Sequence, residues 1–226
     1  MVELILSRAI AACESLLKGD ALTLRMHEGH EDIREVLKCF GKLSTTPKMD
    51  PVWNDFTSEN AFWLVLYDEE VPVAGLGARM EDLGRENVSD YWVRTNRRHY
   101  GSRRGVVEHT ASGDLLSGFG GRLVYLGELT VSDRRRGNRN VLKRLLLAMH
   151  CLALLKWDAD WHYAFLRGPD ARVGMERCYH FTRMLPGFQR WENPPDGRDC
   201  TEFLATISKD EIKYLSELYG ARTDWL

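Results

Sequence analysis

The stretch "TVSDRRRGNRNVLKRLLLAM", residues 130–149, decides how the chain is read. It runs from the end of an apolar strand pattern, through a turn holding Gly137 and four arginines, into a long apolar helix pattern. A helix N-terminus carries roughly half a positive elementary charge from its aligned peptide dipoles, so Arg134, Arg135, Arg136 and Arg139 should each be unfavourable there by about 0.3–1 kcal/mol when exposed. A local rule broken in this way points to function. A bound anion, gripped by the free N–H groups of the helix together with the guanidinium groups, would offset the cost. Gly137 is the residue type that takes a positive φ and lets backbone approach an anion closely.

Working outward, "RLVYLGELTV" (122–131) reads as the strand feeding this turn and "WHYAFLR" (161–167) as the strand after the helix. A helix is expected from about Arg172 to Met184, broken by "LPGF" (185–188). Then comes the strand "CTEFLATI" (200–207) and a closing helix for which Ser208 is the N-cap. Toward the N-terminus the pattern predicts an amphipathic helix over Leu4–Leu17, a strand over Leu22–Met26 and a helix from about Glu31 to Phe40. A polar loop with two prolines leads to a hairpin in "AFWLVLYDEEVPVAGLGARM" (61–80). Pro72, Gly75 and Gly77 suit the second hairpin strand to an edge or bulged position. Asp82–Gly121 is the least patterned region, with a helix near Val88–Thr95; loops this long are usually functional or mobile. Strand–helix alternation without internal repeats argues for one mixed α/β domain.

Composition narrows the function classes. The 226 residues are 44% hydrophobic, enough to bury a sizeable core. Lysine and arginine total 31 against 33 acidic residues, a formal net charge of −2, so no overall field draws the chain onto nucleic acid or an anionic membrane. Glu3, Arg8 and Glu14 interrupt the first apolar run, which argues against a signal peptide or membrane span and for a cytoplasmic protein. The five cysteines are scattered with no C-x-x-C pair. "HEGH" places His27 and His30 three apart, but no third ligand follows at a metal-like spacing, so no metal site is expected and a loop entering a helix is the better reading.

The order of strand, basic glycine-containing turn, long apolar helix, strand, helix and "PGF" resembles the C-terminal half of the GNAT acyltransferase superfamily. The likeness is clearest over Leu123–Phe188, and the hairpin Phe62–Arg79 fits the family's central strands. The family signature [Q/R]-x-x-G-x-[G/A] is matched by "RRRGNR" at Arg134 and Gly137 and departs from it at Arg139, where a small residue belongs. The resemblance implies a mixed central sheet flanked by helices, with an added N-terminal helix (about 1–20) and an insertion (about 82–121). It also implies acyl-CoA, acetyl-CoA by default, as co-substrate for transfer to an amine by direct attack.

Carried over residue by residue, the resemblance places the pantetheine arm along Leu129, Thr130 and Val131. A backbone N–H near Leu129 would face the thioester oxygen. The pyrophosphate would sit on Arg134, Arg136, Gly137, Asn138, Arg139 and Asn140. Glu128 falls where relatives carry a general base for the acceptor amine, a role worth typically about 10²–10⁴-fold. The family's proton-donating tyrosine is absent four residues before Gly187, where Arg183 stands. Tyr179, one helical turn before Arg183 and on the same expected helix face, is the candidate acid.

A second cluster, Arg94, Arg97, Arg98, Arg103 and Arg104 with Tyr91, Trp92 and Tyr100, reads as a solvated loop or a lid over the acceptor site. The net charge argues against nucleic acid as partner. Two alternatives stay open: a synthase of N-acyl amino acids or signalling lipids using a long-chain acyl carrier, and a non-catalytic module of the same fold. The acceptor amine, the acyl length and a homodimeric state are left open.

Overall fold

The computed structural model describes residues 1–28, 30–42, 44–101, 107–109, 116, 118–191, 193–195, 198 and 200–226. Its strands are β1 (Leu22–His27), β2 (Ala61–Asp68), β3 (Val71–Asp82), β4 (Val107–His109), β5 (Arg122–Val131), β6 (Trp161–Leu166), β7 (Arg183–Pro186), β8 (Gln189–Trp191) and β9 (Phe203–Ser208). Its α-helices are α1 (Val2–Gly19), α2 (His30–Cys39), α3 (Val88–Tyr100), α4 (Arg139–Trp157), α5 (Gly168–Arg172) and α6 (Lys209–Ala221). Seven strands form a mixed sheet in the order β1-β2-β3-β5-β6-β9-β7, and β4 pairs with β8 apart from it. All neighbours in the large sheet are antiparallel except β5 and β6, which α4 joins as a crossover.

Each sheet face covers one core. In α1 the buried residues Leu6, Ala9, Cys13 and Leu17 recur every three or four positions, one helical face, and pack against α4 and α6. Alternate strand residues, among them Phe62, Leu64, Leu76, Val124 and Ala164, complete that core. The other parity, including Trp63, Val65, Leu123, Tyr125 and Tyr163, meets Ile33, Met49 and Trp92 from the opposite layer. At the chain's end Ser208 caps α6 in a reciprocal capping box with Glu211, as its sequence position predicted.

Three expectations are corrected. β3 is central, between β2 and β5, rather than at an edge. Pro72 is tolerated because it lies beyond the last β3–β5 pair, Ala74 with Val131. Gly77 leaves room for a ring pressed onto the strand, since a Cβ there would lie 3.0 Å from Cε2 of Trp63. The strand is nonetheless bulged against β2, where Val73 is the extra residue between the pairs Ala74–Leu66 and Pro72–Tyr67, the other half of the expectation.

The helix expected over Arg172–Met184 is replaced by α5, a single 3-10 turn at Met175–Arg177 and the strand β7. Gly174 at φ +75° and His180 at φ +61° are left-handed and cannot continue a right-handed helix. Conversely, α3 extends to Tyr100, five residues past its expected end, and Gly101 at φ +77° stops it. The first histidine of "HEGH" ends β1 and the second begins α2.

Candidate active site

β5 and β6 are paired only over Leu123–Trp161, Val124–His162 and Tyr125–Tyr163. Beyond Tyr125 both strands continue without a shared ladder, and a cavity of about 670 Å³ lies there, lined by 126–131 of one strand and 164–167 of the other. The unpaired edge of β5 leaves backbone donors and acceptors available to a ligand. Leu142, Leu146 and Phe181 supply apolar wall, and Arg136 and Gly137 stand at one part of the rim.

A bulge shapes this edge. Gly75 pairs with Thr130 and Gly77 with Gly127, so Leu76 alone opposes Glu128 and Leu129. Glu128 takes up the extra residue at φ +63°, a left-handed conformation costing a non-glycine residue of order 1–3 kcal/mol. Beside it, Gly127 is dictated by space, because a Cβ would lie 2.6 Å from the Tyr125 ring.

The Glu128 side chain is 1% exposed and has two partners. Lys42 Nζ donates to Oε2, and the backbone N–H of Thr46 donates to Oε1 at 2.7 Å. Both come from the segment after α2, and both residues line the cavity. On the same wall Arg198 and Glu202 form a nearly buried ion pair at 2.9 Å. Arg198 also donates to Gln189 Oε1 at 2.9 Å and lies over the Phe165 and Trp191 rings.

Tyr179 lines the cavity too, reached by another route than a helix face. It follows the 3-10 turn, its N–H bonding to the carbonyls of Met175 and Glu176, each at 3.1 Å. Burial, reinforced by Asp170, pushes its phenol above the usual range, so it stays protonated near neutrality. Cys178 beside it is a buried thiol whose pKa burial also raises.

The basic turn is more internally satisfied than its sequence suggests. Arg135 pairs with Asp68 at 2.6 Å, and the largely exposed Arg136 pairs with Asp133 at 3.0 Å. Arg139 donates to the Val173 carbonyl at 3.0 Å, and Asn138 caps α4 by accepting from the Val141 N–H. Gly137 has φ +88° with open space around it, so its backbone conformation, not crowding, calls for glycine. Of the expected residues, Glu128, Leu129, Thr130, Val131, Arg136, Gly137 and Tyr179 line the cavity, whereas Arg134 and Asn138 on the turn and Arg139 and Asn140 at the start of α4 are exposed outside it.

Sequence reasoning missed Lys42, Thr46, Arg198 and Glu202. The i, i+4 spacing of the last two was visible, but without a helix pattern around it. Also missed was a buried cluster supporting β5 and β6 from the second core. Lys48 Nζ donates to Glu81 at 3.0 Å and to the Tyr163 hydroxyl at 2.9 Å, and Tyr163 in turn donates to Glu81 at 2.5 Å. Burial lowers the Lys48 pKa to about 8. Burial alone would raise Glu81, yet Lys48 and Arg79 hold it below the usual carboxylate range.

The described members of the second arginine cluster are helical rather than in a loop. Arg94 and Arg98 sit on α3; Arg94 pairs with Glu86 at 2.7 Å and Arg98 donates to the Trp53 carbonyl at 2.7 Å. Arg103 and Arg104 lie outside the described residues. Among the described residues no group of three or more His, Cys, Asp or Glu is placed to hold a metal ion, and no helix is long and apolar enough to cross a membrane.

Several solved structures are similar to this chain. NAA60 of Arabidopsis thaliana in complex with acetyl-CoA is 13% identical, covering 84% of this chain and 99% of its own, with a TM-score of 0.48. FeeM, an N-acyl amino acid synthase from uncultured soil microbes, is 11% identical, covering 87% and 97%, with a TM-score of 0.48. The polyamine N-acetyltransferase of Drosophila melanogaster is 14% identical, covering 82% and 99%, also at 0.48. No family model and no curated protein matches the chain.

Proposed function

We propose that this protein is an acyl-CoA-dependent N-acyltransferase of the GNAT type, passing an acyl group, acetyl by default, to a primary amine. The observation that carries the reading is the pair of strands that part after Tyr125 beside a bulge placing a buried carboxylate, Glu128, in the resulting cavity. The donor set fits the extended pantetheine arm: an unpaired strand edge at 126–131 offers amide groups in series, and Leu142, Leu146 and Phe181 offer apolar contact. The thioester brings the activated acyl group. Glu128 takes the proton from the attacking amine, directly or through water, and the Tyr179 hydroxyl protonates the departing thiolate. A backbone N–H near Leu129 steadies charge on the thioester oxygen. The pyrophosphate rests on the turn from Arg134 to Asn140, where Arg136 and Gly137 reach the rim. Residues 1–226 act as one domain.

Titrating coenzyme A and acetyl-CoA against thermal unfolding, followed by an amine panel with thiol release as readout, tests this. A ligand at 100 times its dissociation constant adds about 2.7 kcal/mol of stability. No shift with either would overturn the assignment. The departure from the family signature at Arg139, whose guanidinium donates to the Val173 carbonyl at 3.0 Å, favours a second reading, a non-catalytic module. It predicts binding of coenzyme A with no thiol released for any amine.

A further inference from the structure

Lys42 is a primary amine set against the proposed base, inside the cavity proposed for the donor. Its place is built into the fold. Gly41 ends α2 at φ +69°, the Gly41 N–H bonds the Lys38 carbonyl at 2.8 Å and the Lys42 N–H bonds the Leu37 carbonyl at 2.9 Å. These are the two bonds of a Schellman motif, which fixes the backbone from which Lys42 projects. From there Nζ donates to Glu128 Oε2, while the Thr46 N–H holds the other carboxylate oxygen. Glu128 is 1% exposed and Lys42 30%, so the ammonium stands where an acceptor amine entering from solvent would meet the base.

We infer that Lys42 is an internal acceptor: the chain acylates it in cis from acyl-CoA, an inference resting on the acyltransferase reading above. The ammonium first yields one proton through Glu128 to solvent. The free amine then attacks the thioester carbon; the C–N bond forms and the C–S bond breaks. The proton shed by nitrogen in this step balances the one the sulfur takes up, leaving Nε-acyl-lysine and coenzyme A thiol. Acylation removes the positive charge of Lys42 and with it the ion pair that occupies Glu128.

The test is peptide mass spectrometry of the full chain incubated with acetyl-CoA, using Lys18 and Lys38, both exposed, as the chemical background in the same sample. Lys42 should gain an acetyl group at least about a hundredfold faster than either, the lower end of what a positioned base contributes. Its rate constant should be independent of protein concentration. Glu128→Gln should bring Lys42 down to background while circular dichroism shows the fold retained. Lys42 labelled no faster than Lys38, or at a rate rising with protein concentration, overturns the inference. If coenzyme A still raises the melting temperature, or a free amine is still turned over, the wider reading survives that result. With neither effect, both fall together.

Discussion

Nδ1 of His162 lies 2.9 Å from Nδ1 of His150, and the two rings stack at an interplanar angle of 16°. The other nitrogen of His150, Nε2, lies 2.9 Å from the Tyr179 carbonyl. A carbonyl only accepts, so His150 carries its proton on Nε2 and receives, at Nδ1, the N–H of His162. That leaves both rings neutral and His162 Nε2 a bare acceptor, buried and unpartnered. The pair thereby links α4 and β6 to the turn presenting Tyr179.

Acid should therefore loosen the protein at this link. Burial pushes His150 down to about 3 and His162 well below the usual range; His180, whose Nε2 bonds the Lys143 carbonyl at 2.9 Å, is pushed to about 4. Unfolded, each takes its proton near pH 6.5. Stability is therefore fully present above about pH 6.5 and falls as pH drops through the interval toward the folded values, because unfolding takes up protons. Urea midpoints measured from pH 7.5 to 5 should decline with a slope corresponding to more than one proton. A flat profile would contradict neutral buried rings.

At Glu128 the left-handed backbone inverts the usual strand preference. Glycine ordinarily weakens a strand relative to alanine, yet at φ +63° alanine pays a steric penalty that glycine does not. Glu128→Gly should be more stable than Glu128→Ala by about 1 kcal/mol in chemical denaturation. Both should lose transferase activity.

Gly127→Ala should destabilise by roughly 1–3 kcal/mol, the ordinary cost of overpacking. The new methyl collides with the Tyr125 ring, which itself lines the cavity, so coenzyme A affinity should fall as well. Unchanged stability and affinity would mean that the ring moves aside freely.

Two neighbouring arginines should part company. Arg135 is tied to Asp68 of β2, while Arg136 stands exposed at the cavity rim. Arg136→Ala should weaken coenzyme A binding, leave pantetheine binding unchanged and hardly alter stability. Arg135→Ala should cost at most about 1 kcal/mol of stability, as partly exposed pairs do, with little change in affinity. Calorimetry with both ligands checks this.

Much of the chain was legible because its signals are local. Periodicity marked β5, α4, β6 and the last helix, and Ser208 announced its own cap, since a cap needs only residues three apart. Gly137 was readable for a similar reason: its positive φ belongs to the turn itself. The expected helix over 172–184 failed because a glycine and a histidine that break it look, in sequence, like tolerable interruptions. The central place of β3 was hidden because Pro72 and two glycines suit an edge as well as a bulged interior strand.

By itself, then, the sequence determined the run from β5 through the basic turn and α4 to β6, together with the closing helix and its cap, all properties of neighbouring residues, while Glu128 entered as candidate base through the family resemblance. The tertiary structure alone decided that β5 and β6 separate beyond Tyr125 and that a bulge turns Glu128 inward. It alone brought Lys42, Arg198 and Glu202 to that carboxylate's cavity. A bulge exists only relative to a partner strand, and an ion pair between residues 42 and 128 depends on two cores placing α2 over the sheet, which no local pattern encodes.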